Sequence, residues 1–313
     1  MVSRGRRVLF FRDFARFAGG HLKVWDYFRH LACSGRYQPA IYFTPRSRMD
    51  SANPWVASQV PVLQAWQVMP GDIVFLAGLD WAKLPDPHSL EDSRAPIVNL
   101  IQGLSHADSG DPRFEFLSRP ATRICVSEQV SNAIRATGIV NGPVYTVPAA
   151  IDVESCVEPY PSGHRDVQLL VAGNKNPAFA AMLSNMLRQR GVEHRLLTDT
   201  LSRDAYLGAI RSSSAVVLLP QAAEGFYLPA LEAMALRTPV ICPDCIGNRG
   251  HCLDGINCLR PAYTLEGVIA AIATLNGLSE PQRAAMLDAA TATVAQHSPA
   301  AERAHIYRIF DGL

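Results

Sequence analysis

Residues 215 to 261 read AVVLLPQAAEGFYLPALEAMALRTPVICPDCIGNRGHCLDGINCLRP. The stretch opens on Ala215 to Leu219, an unbroken apolar run of the kind that forms a strand buried on both faces. A loop containing Glu224 and Gly225 follows, and a helical pattern begins near Leu228-Pro229. Proline is tolerated at the first helical position because the amide there has no intrahelical partner. A helix starting just past the carboxyl end of a strand turns its free N–H groups and positive dipole end toward the loop, which suits a phosphate group. Open α/β sheets place their ligands outside those same strand ends. Glu224 lies in the loop and Glu232 on the helix behind it. One carboxylate can accept hydrogen bonds from a ribose diol and the other from sugar hydroxyls, with a diphosphate between them. The plainer reading is a capped surface helix with two exposed glutamates. Phe226, Tyr227 and Leu228 count against it, since an apolar loop needs something to bind or to bury.

Outward from this segment, short β-branched and aromatic runs alternate with helical patterns, which predicts parallel sheets covered by helices. Predicted strands are Val8 to Phe11, Ala40 to Phe43, Ile73 to Leu76, Ile97 to Ile101 and Arg123 to Val126. The first is followed by a loop ending in Gly19-Gly20. A helix over Leu22 to Leu31 is then expected, with Leu22, Trp25, Phe28 and Leu31 on one face. Ser127 is suited to cap the helix that follows the fifth strand. Glu158-Pro159-Tyr160-Pro161-Ser162-Gly163 has the composition of a linker. Beyond it the alternation restarts: strand Gln168 to Ala172, helix Pro177 to Arg190, strand His194 to Leu197, helix Ser202 to Arg211. The expected architecture is α/β, with two Rossmann-like domains facing a cleft. The first domain is expected over residues 1–157 and the second over 164–297, with a last helix over 298–313 packing back on the first domain.

Composition narrows the function class. With 29 Lys+Arg against 28 Asp+Glu the net charge is +1, so no nucleic-acid partner is expected. No apolar run has the length of a membrane span, and the N-terminus lacks signal-peptide features, so a cytoplasmic location is the default expectation. Arg4, Arg6, Arg7, Arg12 and Arg16 crowd the start of the chain. They read either as solvated charge flanking a strand or as a weak attraction to anionic lipid head groups, which would make the protein membrane-peripheral. The seven cysteines are read as reduced thiols. Cys242, Cys245, Cys252 and Cys258 fall in apolar segments with spacings unlike a zinc knuckle, so no metal is expected there.

The order EGF-x-x-P, LEAMA, TPV and DG-x-NCL, carried by Glu224 to Ala235, Thr238 to Ile241 and Asp254 to Pro261, resembles the E-x7-E signature of retaining GT-B glycosyltransferases of group 1. The resemblance is strong over about fifty residues and patchy elsewhere. It implies metal-independent transfer of a sugar from a UDP- or GDP-linked donor to a saccharide, glycolipid or small-molecule acceptor, with no cofactor beyond the nucleotide-sugar itself. In that resemblance Glu232 holds the ribose hydroxyls and Glu224 the transferred sugar. The backbone at Gly225, Phe226, Tyr227 and Leu228 binds the diphosphate.

Looser matches extend the set. Gly173-Asn174-Lys175-Asn176 stands where relatives carry an arginine and a lysine that neutralise the diphosphate; here Lys175 is present and Asn174 replaces the arginine. Arg249, in the loop Gly247-Asn248-Arg249-Gly250 that replaces the family's GG-x-pE, is a substitute cation. Gly19-Gly20 resembles the glycine-rich loop facing the donor phosphate, and His106 the histidine near the donor sugar. Ser127-Glu128 and Val147 to Asp152 resemble markers at the end of the first domain, with Ala149-Ala150 in place of Asn-Gly. Two other readings keep the fold: a nucleotide-sugar epimerase or phosphorylase, and a binding protein without catalysis.

Overall fold

Every described strand pairing is parallel, and the chain builds two separate sheets. The computed structural model describes residues 5–15, 19–86, 90, 93–152 and 166–313. The expected linker, residues 158–163, lies outside the described residues, as do Arg4 and Arg16. The chain divides into two compact units, Met1–Ala149 with Glu302–Leu313, and Ala150–Ala301.

The first unit holds β1 (Arg6–Arg12), β2 (Tyr37–Phe43), β3 (Ile73–Ala77), β4 (Ile97–Ile101), β5 (Thr122–Cys125) and β6 (Val144–Thr146), in the order β2-β1-β3-β4-β5-β6. Parallel strands must be covered on both faces, and β3 shows the result: Ile73, Val74, Phe75, Leu76 and Ala77 are all buried. The helix after β1 runs Gly19–Ala32, so Gly19 and Gly20 are its first turn and not the end of a loop. Its buried face also differs from the expected one. Val24, Tyr27, Phe28 and Leu31 are buried, whereas Leu22 and Trp25 are half-buried. Lys23, Asp26 and His30 are buried as well, because the C-terminal helix Pro299–Phe310 supplies Glu302 to this unit. Lys23 Nζ lies 2.8 Å from Glu302 Oε1 and 2.9 Å from Asp26 Oδ2, and His30 Nε2 lies 2.9 Å from Glu302 Oε2. Amphipathic periodicity cannot foresee such a contact, since the covering residue is 279 positions away.

The N-terminal arginines are likewise engaged inside the protein. Arg6 donates to the carbonyls of Gly71 and Leu313, Arg7 makes a bidentate pair with Asp72, and Arg12, 8% exposed, pairs with buried Asp80 at 3.2 Å. Charge that looked solvated in the sequence belongs to the flank of β1 and its neighbours.

The second unit holds β7 (Leu170–Ala172), β8 (Arg195–Leu197), β9 (Val216–Leu218) and β10 (Val240–Ile241), in the order β10-β9-β7-β8. The chain runs from β7 to β8 on one side, then returns to place β9 on the other side of β7. The carboxyl ends of β7 and β9 are therefore neighbours at the point where the strand order reverses. That is where an open parallel sheet leaves room for a ligand. Helices Pro177–Gln189, Arg203–Arg211, Leu228–Ala235, Leu265–Gly277 and Glu280–Gln296 complete this unit.

Replacing Glu302 by alanine leaves Lys23 buried with one carboxylate fewer. Breaking a buried pair from one side costs about 3 kcal/mol, so the variant should unfold at clearly lower urea concentration than the wild type. Equal midpoints would show that Asp26 alone satisfies Lys23.

Candidate donor site in the second unit

The loop after β7 and the loop after β9 each contribute one charged group. Lys175, exposed in the first, places its Nζ 3.0 Å from Oε1 of Glu224 in the second. Glu224 Oε1 is a buried atom outside hydrogen-bonding geometry, so the contact is an ion pair and not a directed hydrogen bond. The β7 loop is anchored from both sides. Gly173 donates to the Leu197 carbonyl, and a Cβ at Gly173 would stand 2.1 Å from that of Ala180, so only glycine lets the helix Pro177–Gln189 approach this closely. Asn176 caps that helix by accepting from the Phe179 amide and donates to Tyr263, whose hydroxyl donates to the Pro220 carbonyl at 2.7 Å. Asn174 is exposed on the same loop.

The β9 loop is held by residues 246 to 251. Tyr227 N–H donates to the Gly247 carbonyl at 3.0 Å, and Ile246 N–H to that of Ala222. A Cβ at Gly247 would lie 2.6 Å from the Glu224 carbonyl oxygen and 2.9 Å from the Phe226 nitrogen, so this backbone approach also requires glycine. His251, 1% exposed, sits 3.2 Å through Nε2 from the Tyr227 carbonyl and packs its ring on Phe226 at 4.8 Å. Burial lowers its pKa to about 3, so it is neutral and Nε2–H is the donor. Neither His251 nor Gly247 stood out in the sequence as a support for this loop.

Four expectations meet the structure here. The Tyr227 amide is committed to Gly247, which removes it from the phosphate donors and leaves the amides of Phe226 and Leu228 as candidates beside Gly225. The loop's apolar character has an internal explanation: Tyr227 is 2% exposed, and Phe226 and Leu228 pack on the same core. The helix starts at Leu228, with Tyr227 as its cap, so Pro229 is the second helical residue. Arg249, the substitute cation, is held by Asp244 in a bidentate pair at 2.6 and 3.1 Å.

Glu232 is not an exposed helix glutamate. It is 4% exposed, and its Oε1 lies 2.5 Å from Nη1 of Arg203, at the start of the helix after β8. Arg203 was absent from the sequence-based set, because nothing local links it to Glu232. The four cysteines singled out earlier are buried free thiols, and Asn248 Nδ2 stands 3.2 Å from Cys242 Sγ. Contacts with the Cys242 and Cys258 thiols, together with burial, push the Cys252 thiol well up, so it stays protonated. Among the described residues no group of three His, Cys, Asp or Glu side chains is arranged to hold a metal ion. No described helix is long and apolar enough to cross a membrane.

The remaining candidates belong to the first unit. Gly20 accepts a hydrogen bond on its carbonyl from Gln102 Nε2 at 3.0 Å, which joins the start of helix Gly19–Ala32 to the end of β4. His106 follows in a 3-10 turn, 2% exposed, with neither ring nitrogen in hydrogen-bonding geometry. Burial, then the charges of Arg113 and Arg123, lower its pKa to about 4. Fully buried Arg123 supports the turn that follows, donating to the carbonyls of Phe116 and Leu117 and to the Asn99 side chain. A 330 Å³ hollow lined by Arg135, Gly138, Val140, Gly142 and Val144 includes none of the candidate residues.

Residues 150–276 match the family model described as glycosyl transferases group 1. An MMP α-(1→4)-mannosyltransferase from Mycolicibacterium hassiacum is 31% identical over 94 residues, covering 28% of this chain and 22% of that enzyme. The chain thus spans about a fifth of the length of the curated relative it matches. The fold is similar to that of Anabaena Alr3699/HepE, whose structure was solved in complex with UDP and glucose (TM-score 0.77, 14% identity, 98% of this chain and 100% of that one). It is also similar to a glycosyltransferase from Rickettsia africae (TM-score 0.71, 11% identity, 98% of each chain). The architecture is of the GT-B class, two Rossmann-like domains, and the second unit carries the group 1 glycosyl transferase match.

Because His251 is neutral in the fold and has an ordinary pKa near 6.5 when unfolded, its contribution to stability is present above pH 6.5 and lost as pH falls toward 3. The loss approaches 1.4 kcal/mol per pH unit, so unfolding midpoints measured at pH 7 and pH 5 should converge in His251→Gln relative to wild type. Parallel curves for the two proteins would show that His251 is not buried as a neutral ring.

Proposed function

We propose that the protein is a glycosyltransferase that moves a sugar from a nucleotide-sugar donor to a saccharide, glycolipid or small-molecule acceptor, with retention of configuration and without a metal. The observation that carries the reading is the Lys175–Glu224 ion pair between the loops after β7 and β9, beside the switch point of the second sheet, with Glu232 on the helix that follows the β9 loop. In this reading Glu232 accepts from the ribose hydroxyls of the donor. The amides of Gly225, Phe226 and Leu228 and the helix dipole bind the diphosphate. Lys175 neutralises the charge that accumulates on the leaving diphosphate, and Glu224 takes hydroxyls of the transferred sugar. A protein with no resident cofactor follows, UDP or GDP being the nucleotide carried by the substrate. The mannosyltransferase relative and the UDP-bound neighbour support this reading.

The Lys175–Glu224 pair gives the reading a consequence of its own. A diphosphate competes with Glu224 for Lys175, and a sugar competes with Lys175 for Glu224. Arrival of the donor therefore exchanges one internal ion pair for two contacts with substrate.

Two measurements check this. In a thermal-shift panel of UDP- and GDP-sugars run in excess EDTA, at least one donor should raise the melting temperature by a few degrees at a hundred times its Kd, and Glu232→Ala should abolish the shift. A flat response from wild type across the panel would sink the donor-site assignment. Glu224→Gln should bind a free nucleoside diphosphate up to about five-fold more tightly, because Lys175 is no longer paired, yet bind the nucleotide-sugar more weakly. Changes of the same sign for both ligands would rule out the exchange.

A further inference from the structure

Arg203 occupies the first position of helix Arg203–Arg211, where the positive end of the helix dipole disfavours a cation. Something outside its own helix must account for its placement, and the structure supplies it. The guanidinium lies 2.5 Å through Nη1 from Oε1 of Glu232 and reaches the Asp152 carbonyl through Nη2 at 3.5 Å. The two side chains are 22% and 5% exposed. Helix Leu228–Ala235 packs against helix Arg203–Arg211, so the pair bridges the elements that follow β8 and β9.

A carboxylate as buried as that of Glu232 needs a partner within the protein to satisfy and orient it. A ribose diol offers two O–H donors, and an ionised carboxylate offers acceptors on both oxygens, whereas a carboxylic acid presents a donor of its own. The guanidinium on one oxygen sets the carboxylate's orientation, and the carboxylate's further lone pairs remain to accept from a diol. We infer that Arg203 is a positioning residue for the donor, acting through Glu232 to hold that carboxylate oriented for the ribose 2′- and 3′-hydroxyls. The inference rests on Glu232 being the ribose anchor.

The test compares UDP and GDP with their 2′,3′-dideoxy analogues by calorimetry. Wild type should prefer the ribonucleotide by about 30-fold or more, the scale of two hydrogen bonds to a charged group. Glu232→Ala should reduce that preference to about one, and Arg203→Met to within about three-fold, while Arg203→Lys should keep most of it. The double variant Arg203→Met/Glu232→Ala, which removes both buried charges together, should bind the ribonucleotide no worse than Glu232→Ala alone. It also keeps the experiment readable if Arg203→Met alone fails to fold. A preference that survives Glu232→Ala defeats the ribose assignment and the inference with it. A preference lost in Glu232→Ala but intact in Arg203→Met defeats the inference alone, as does a double variant that binds more weakly than Glu232→Ala. A purely structural role for Arg203 would weaken the ribo- and dideoxy nucleotides equally and leave the preference unmoved.

Discussion

The ion pair between Lys175 and Glu224 depends on one topological fact, that β9 returns to lie beside β7 after the chain has laid down β8 on the other side. That reversal sets two loops side by side at the carboxyl ends of adjacent parallel strands, where open parallel sheets leave room for a ligand. Everything else in the site supports those two loops. Gly173 lets a helix approach the first, and Gly247 and His251 hold the backbone of the second by contacts a larger or charged residue would break. The charged pair is partly exposed and contributes little to stability. What it does is join the two loops across the switch point with opposite charges.

Glu232 follows the opposite logic. Its carboxylate is nearly out of contact with water, so the protein must provide the compensating charge, and Arg203 does. The same requirement recurs in the first unit, where Lys23 is compensated by Glu302 and Asp26, and Arg12 by Asp80. Burial raises the pKa of Asp80 to about 6 even with Arg12 beside it, a measure of what desolvation costs a carboxylate. The Arg203–Glu232, Lys23–Glu302 and Arg12–Asp80 pairs each join segments far apart in the chain, so they tie elements together.

Most strands were legible because parallel strands buried on both faces leave unbroken apolar runs, as Ile73 to Ala77 and Val216 to Leu218 show. Glu224 and Glu232 drew notice because their loop and helix carry residue types that suit a bound phosphate, and Lys175 because its segment resembles the family's. Local patterning misjudged Gly19-Gly20, which open a helix and do not close a loop. The family resemblance gave Tyr227 a ligand-facing amide that the structure commits to Gly247. Neither reading of the N-terminal arginines foresaw that Arg7 pairs with Asp72 and Arg12 with Asp80. In each case the deciding partner is far away in the chain, and periodicity reports only near neighbours.

By itself the sequence determined the class of structure, since alternating strand and helix patterns permit few solutions, and it drew attention to Glu224 and Glu232. Tertiary structure decided their electrostatic state. Whether a glutamate is half-exposed beside a lysine or buried beneath an arginine depends on strand order and helix packing, which set the local dielectric and the nearest opposite charge. That difference, between Glu224 and Glu232, appears in no property of the two residues or of their immediate neighbours in the chain.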